Sequence, residues 1–428
     1  MKMLFHEFRR LRASSLARNA GWMLVGQGVG FLSQSVYFIL LARLLGSTQY
    51  GIYAGTFALV SLASQYSALG SGTVFLRYVS ADPNKFAPYW GNILLSVCTL
   101  GLLVSALLHV TAHYVLNPAS AAIVFPAALS LCFCTQIGFT AGQVFQAFEQ
   151  LRITAMMNLL VNVLRMLAAA AMVITLHRAT AWQWVMVSLI VSFIGAIVAM
   201  VTVTVRLGAP RFVPRLFTKH AAEGLQYSFA QSTSSAYNDL DKTMLSHYGM
   251  NVANGIYAMA YRVVETATIP IFAIRDAAMP RFFAQGAKGI ESAAGLTRSL
   301  LKRAMLLGIV AAVVMFVLAP VIPYIVGKDF NQSVSALRWL CIIPFFRSIH
   351  QMTGSALTGA GMQRFRTSSQ LIAAVVNFGL NLWLIPAYGW LGAAWASLVT
   401  DGGLGATNWC LLNFLCKSSV KLSVAEDA

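Results

Sequence analysis

Apolar residues in this chain do not alternate with polar ones; they run in blocks of about twenty, interrupted by short polar, glycine-bearing or proline-bearing stretches, and twenty is the length at which a helix crosses a bilayer's hydrocarbon core. Blocks beginning near residues 19, 50, 88, 117, 155, 180, 223, 254, 298, 333, 366 and 390 predict about twelve transmembrane helices, so the expected fold is an all-α integral membrane protein. No loop between them exceeds about 20 residues, too short for a folded soluble domain of roughly 50 or more. The first block, Gly21 to Leu45, is longer than a signal-peptide core and has no small-residue cleavage site, which keeps it in the mature chain. Ahead of it, MKMLFHEFRRLR sets Leu4, Phe5, Phe8 and Leu11 on one helical face among basic groups, the pattern of an interfacial helix.

Composition agrees: 58% of the 428 residues are hydrophobic and 10% charged, with a mean hydropathy of +0.69, well beyond the roughly 45–50% apolar content of soluble domains. A net charge of +17 would suggest nucleic acid, until the basic residues are placed on the helices. About 21 fall in segments on one side, including Arg77, Lys85, Arg206, Arg211, Arg215, Lys219, Arg298, Lys302 and Arg303, against about 3 on the other, Arg43, Arg178 and Lys328. The positive-inside rule then puts both termini in the cytoplasm. The excess reports orientation and contact with anionic membrane lipids, with no nucleic acid required. Cys132 and Cys134 point to opposite sides of a helix, and His109 and His113 lack a third ligand, so neither a disulfide framework, a metal site nor a cofactor is expected.

The chain reads as two halves. Residues 1–18 form a basic amphipathic segment, 19–206 an N-terminal six-helix lobe, 207–222 a basic linker with Pro210 and Pro214, 223–416 a C-terminal six-helix lobe, and 417–428 a cytoplasmic tail. Gly51-Ile52-Tyr53-Ala54 opens helix two and Gly255-Ile256-Tyr257-Ala258 opens helix eight, 204 residues later; Gln150 with Thr154 and Gln363 with Thr367 give a weaker echo. Six helices is an even number, so both halves start on the same side: a parallel internal repeat, with a substrate site expected at the interface between lobes.

Four stretches resemble a known family. Leu41-Ala42-Arg43-Leu44-Leu45-Gly46 running on to Tyr50-Gly51-Ile52-Tyr53, Asp241-Lys242 ahead of Gly255-Ile256-Tyr257, the prolines Pro270 and Pro280, and Leu384-Ile385-Pro386-Ala387-Tyr388-Gly389 with Gly392-Ala393-Ala394 are similar to bacterial polysaccharide flippases of the Wzx type. The resemblance implies membership of the multidrug, oligosaccharidyl-lipid and polysaccharide exporter superfamily, two six-helix lobes around a central cavity, and a bacterial cytoplasmic-membrane location. It also implies the activity: carriage of an undecaprenyl-diphosphate-linked oligosaccharide, for O-antigen, capsule or exopolysaccharide, from the cytoplasmic to the outer leaflet under an ion gradient, with polysaccharide-assembly proteins as further candidate partners. The chain carries no GxxxxGK[ST] phosphate loop, in keeping with transport without ATP.

A charge inside a spanning segment costs about 2.5–3.5 kcal/mol at the bilayer centre on insertion scales, so each asks for a partner or a wet cavity. Asp239 and Lys242 are three apart on helix seven and can pair, as can Arg262 and Glu265 on helix eight, leaving Asp241 over. In the functional reading Asp241, Glu265 or Asp239 takes up a coupling proton or cation, while Lys242 and Arg262 attract the diphosphate or acidic sugars. Arg165 on helix five and Arg347 with His350 on helix ten line the same cavity in that reading, with Arg275 and Asp276 at its inner mouth. In the competing reading these residues are structural ion pairs. Amides at Gln27, Gln34, Asn158, Asn162, Asn377 and Asn381 fit helix-to-helix hydrogen bonds better than sugar contacts. Gly26-Gln27-Gly28-Val29-Gly30 lies inside an apolar span with no strand before it, which fits close helix approach rather than a nucleotide fingerprint.

A membrane glycan enzyme would need catalytic groups on a long loop, and the chain has no such loop. A multidrug exporter or lipid II flippase would share the fold, and an assembly scaffold would need none of the interior charges. Cationic drugs favour an acidic cavity, whereas Arg165, Lys242, Arg262, Arg275 and Arg347 make this one basic.

Overall fold

In the computed structural model the backbone is described over residues 2–426 and side chains over residues 28–418, save positions 31, 234, 236 and 237. Leu4, Phe5, Phe8, Leu11 and Gln27, singled out above, lie outside the described side chains. Every described element is helical, as the block pattern requires. The helices are α1 (Lys2–Ser67), α2 (Ser71–Val79), α3 (Pro83–Val115), α4 (Val124–Ala147), α5 (Leu151–Leu176), α6 (Ala181–Leu207), α7 (Pro214–His247), α8 (Asn251–Gly286), α9 (Ile290–Val326), α10 (Ser333–Leu340), α11 (Ile343–Gly359), α12 (Gln363–Tyr388) and α13 (Trp390–Glu426). Predicted helices one and two are both present within α1: they meet at a kink at Gly46, whose φ 65° and ψ 174° are not helical, a conformation glycine reaches at little cost. Predicted helix ten is divided into α10 and α11, with Pro344 in the first turn of α11, where its missing N–H is tolerated.

Among the described residues, seven stretches are long and apolar enough to cross a membrane by length and composition. The helices outside that group, α7, α8, α10, α11 and α13, include those that carry the buried polar residues described below.

The chain divides into two compact units: residues 1–45 with 56–232, and residues 46–55 with 233–428. In the first, Phe75, Phe86, Trp90, Ile93, Val144 and Phe145 form one apolar core. Helix α6 starts at a capping box, with Thr180 and Gln183 satisfying each other's backbone N–H groups. Helices α3 and α4 each contain a stretch of π-helical geometry, Val97–Gly101 and Leu129–Thr135. These meet where Gly101 lies against the Cys132 carbonyl, too close for a Cβ.

In the second unit the repeated tetrapeptides meet each other. A Cβ on Gly51 would collide with the Asn251 carbonyl oxygen, and a Cβ on Gly255 with that of Ser47, each the carbonyl four residues before the opposing glycine. Asn254 fastens this crossing, donating from Nδ2 to the Gly51 carbonyl at 3.0 Å and to the Lys242 carbonyl at 2.9 Å. Each copy thus serves the other in the same way, the self-complementary logic of a two-fold contact, written here within one chain.

Candidate functional site

Among the described residues every buried aspartate, lysine and arginine belongs to the second unit: Asp241, Lys242, Arg347 and Asp401, with His350 beside them. Four helices bring them together. Helix α7 supplies Asn238, Asp239, Asp241 and Lys242; α8 supplies Tyr257, Tyr261, Arg262 and Glu265; α11 supplies Arg347 and His350; and α13 supplies Ser397 and Asp401.

Asp241 is sealed from solvent and surrounded by donors. The Tyr257 hydroxyl and the Ser397 hydroxyl, the latter at 3.3 Å, both donate to its Oδ2. Its Oδ1 accepts the Lys242 backbone N–H at 2.7 Å and lies 3.8 Å from Lys242 Nζ. Lys242 turns to Asp239, 3.0 Å away, donates to the Asn238 carbonyl, and sits 4.2 Å from the centroid of the Tyr261 ring, close enough for a cation–π attraction. Tyr261 donates to Asn238 Oδ1 at 3.1 Å and accepts from Arg347, which also donates to Asn238 Oδ1 at 2.8 Å. Arg347 Nε lies 3.8 Å from Asp401 Oδ2, and His350 Nε2 lies 3.5 Å from Asp401 Oδ1. One electrostatic chain therefore runs from Asp241 through Lys242, Tyr261 and Arg347 to Asp401 and His350. A buried ion pair contributes little net stability, but removing one member strands the other at a cost of about 3–5 kcal/mol.

The remaining candidates sit at more open positions. Arg262 and Glu265 form a 2.8 Å pair, each about a third exposed (35% and 34%), on the same helix as Tyr257 and Tyr261, and Tyr50 neighbours the Arg262 guanidinium. Arg275 pairs with Asp276 at 2.8 Å and donates to Gln351 on α11 at 3.0 Å. Asn377 bonds Thr400 on α13 at 3.1 Å and Asn381 bonds Asn377 at 2.8 Å, so these two amides tie helix to helix.

Arg165 lies in the first unit, on α5. It donates to Ser192 on α6 at 3.0 Å and to Thr135, in the π-helical stretch of α4, at 3.5 Å, and Ser130 from that stretch donates to Ser192 at 2.9 Å. Both of these partners are hydroxyls.

Sequence reasoning missed Asn238, Tyr257 as a donor, Tyr261, Ser397 and, most consequentially, Asp401. Asp401 stands before Gly402-Gly403, which in a sequence looks like a turn rather than helix interior. The one available signal was a lone carboxylate in the last apolar block, the same signal that exposed Asp241.

Comparison with known proteins follows the same lines. Residues 16–285 match the family described as polysaccharide biosynthesis protein, and residues 227–383 match the MatE family. An uncharacterized membrane protein of Methanocaldococcus jannaschii is 24% identical over 405 residues, 88% of this chain and 92% of its own length. Among solved structures, an inward-facing multidrug resistance MATE family transporter of the MOP superfamily superimposes with a TM-score of 0.70 at 15% identity, covering 93% of this chain and 99% of that one. The lipid II flippase MurJ, in an inward closed conformation, gives 0.69 at 12% identity, over 93% and 87% of the two chains. These likenesses carry the two-lobe, twelve-helix fold.

Proposed function

Since the chain belongs to the polysaccharide biosynthesis protein family, and is thus a multi-pass membrane transporter or flippase of the multidrug, oligosaccharidyl-lipid and polysaccharide exporter superfamily, we propose that it is a Wzx-type flippase. Its substrate is an undecaprenyl-diphosphate-linked oligosaccharide, carried from the cytoplasmic to the outer leaflet of a bacterial cytoplasmic membrane for cell-surface polysaccharide synthesis. The mechanism is alternating access of the two six-helix lobes, driven by an ion gradient, with both termini cytoplasmic.

The observation that carries this reading is the charge chain of the second unit, since charges of such cost inside a membrane persist where ions or charged substrates move. Asp241, Asp239 and Glu265 are the carboxylates that set the field in which a coupling ion acts. Arg262, Arg275 and Arg165 have the exposure to meet a diphosphate, and guanidinium geometry suits that anion. Lys242 and Arg347 add positive field from within the helix packing, where Asp239, Asp241 and Asp401 already neighbour them.

The test is deletion of the gene in its host, quantification of lipid-linked glycan by leaflet, and complementation with wild type, Asp241→Asn or Arg262→Ala. Accumulation on the cytoplasmic side, reversed by wild type and not by the variants, is the expected outcome. Unchanged lipid-linked glycan in the deletion strain overturns the reading. The match of residues 227–383 to the MatE family supports a second reading as a multidrug exporter, for which the deletion strain gains sensitivity to cationic drugs while its glycan is unaltered.

A further inference from the structure

The chain of charges has one loose joint, and it is not at Asp241. Asp241 already accepts from the Tyr257 and Ser397 hydroxyls and the Lys242 backbone N–H, charge-assisted bonds that a proton on the carboxyl would weaken. His350 and Asp401 stand differently. His350 Nε2 and Asp401 Oδ1 face each other at 3.5 Å, both residues are at least 97% buried (3% and 2% exposed), and neither atom has a hydrogen-bond partner. A buried polar atom left without a bond costs about 1–3 kcal/mol, and here two such atoms share one gap.

We propose that the coupling ion is a proton and that it is held by the His350–Asp401 pair rather than by Asp241. This rests on the transport reading above and names its ion and its site. With the proton on His350, the imidazolium draws Asp401 Oδ1 into a charge-assisted bond across the gap; without it, Asp401 is left to Arg347. Arg347 is the pivot because its guanidinium also holds Asn238 on α7 and Tyr261 on α8. Protonation therefore changes how strongly α11 and α13 are tied to each other relative to α7 and α8.

The charged groups around His350 are Arg347 on its own helix, Asp401 from α13, Arg366 from α12 and, beyond Arg347, Tyr261 from α8 with Asp239, Asp241 and Lys242 from α7. Arg366 is occupied with Thr358 at 2.9 Å. Helix α9 packs on α11 in part through Leu301 and Ala304, which share an apolar cluster with Met352. A metal ion is a poorer occupant than a proton: no group of three His, Cys, Asp or Glu converges among the described residues, Arg347 lies alongside, and hard cations require several oxygen ligands. An imidazole suits a proton because its ordinary titration range spans roughly pH 5 to 8.

Two measurements test this. In the first, histidine-labelled protein in lipid is titrated by NMR, with the His350 signal assigned by its absence in His350→Gln. The His350 signal should titrate, its midpoint should move by about one unit or more in Asp401→Asn, and it should be unmoved in Asp241→Asn. A His350 signal fixed in one state throughout, or an Asp241→Asn shift as large as that of Asp401→Asn, overturns the proposal. In the second, glycan export is followed with and without a pH-collapsing ionophore. Wild type should slow about tenfold when the gradient is collapsed, whereas His350→Gln, checked for folding by its elution profile, should be slow in both conditions. Wild-type export and a full ionophore response in His350→Gln equally overturn it. If no glycan export is found in any strain, the flippase reading falls alone, because the titration still decides where the proton sits.

Discussion

The two units are alike in element type and unlike in what they bury. In the first, the described buried polar residues are hydroxyls, one asparagine and His220; Asp82, Glu149 and Glu223 lie at partly or fully exposed positions. In the second, two aspartates, a lysine, an arginine and a histidine are buried together. A hydroxyl network can pack helices for roughly 0.6–2 kcal/mol per bond and holds the same charge in every state. A network of ionised groups is costlier to bury and can change state by taking up one ion. On the function proposed above, the contrast divides the labour between units: the second is the responsive one and the first the rigid one, built around Arg165.

Removing a member of the responsive network should give the largest effect. Asp401→Asn leaves Arg347 and His350 without their carboxylate, and about 3–5 kcal/mol of stability should be lost, read as a lowered thermal midpoint in lipid or detergent. If Asp401→Asn melts with wild type, the second unit does not depend on its charges and the contrast drawn here is broken.

The crossing of the repeated tetrapeptides comes next. Gly255→Ala places a methyl group against the Ser47 carbonyl oxygen, and overpacking of this kind costs about 1–3 kcal/mol. Gly379→Ala on α12 meets nothing within 4 Å and should be neutral or slightly stabilising, as alanine is the better helix former by about 1 kcal/mol. Equal loss in both variants would show that backbone freedom, not close approach, matters at Gly255.

This crossing also shows how far the sequence could be read. The repeat was visible as two identical tetrapeptides, and the Asp239–Lys242 and Arg262–Glu265 pairs followed from spacing on a helix, because both are local features. What the spacing left open was everything set by which helices pack together. Tyr257 was in plain view inside the repeated tetrapeptide, yet that its hydroxyl reaches Asp241 depends on how α7 lies against α8. Asp401 is joined to Arg347 only through the packing of α11 on α13. The π-helical stretches under Arg165 leave no trace in the order of residues.

Arg165 offers a smaller test within the rigid unit. Ser192→Ala removes one of its hydroxyl partners, and a hydrogen bond to a charged group is worth about 1.5–3 kcal/mol. Arg165→Met removes the charge along with its need for partners, so it should cost less stability than Ser192→Ala while slowing export more. The reverse order, with export intact in Arg165→Met, would assign Arg165 to packing.

The smallest effect is expected where the first unit does carry an ion pair. Glu223 accepts from Arg77 Nη1 at 2.7 Å, from the Tyr78 hydroxyl at 3.2 Å and from the Tyr227 hydroxyl at 3.4 Å, and lies 3.2 Å from His220 Nδ1, more partners than Asp241 has. Yet the Arg77 side chain is 60% exposed, and water screens such a pair to about 0.2–1 kcal/mol. Glu223→Gln should therefore lower stability by no more than about 1 kcal/mol, and raised salt should shrink the difference further, whereas the cost of Asp401→Asn should be unchanged by salt because its partners are buried. A loss at Glu223 as large and as salt-independent as that at Asp401 would mean that number of partners, and not burial, decides which charges this protein depends on.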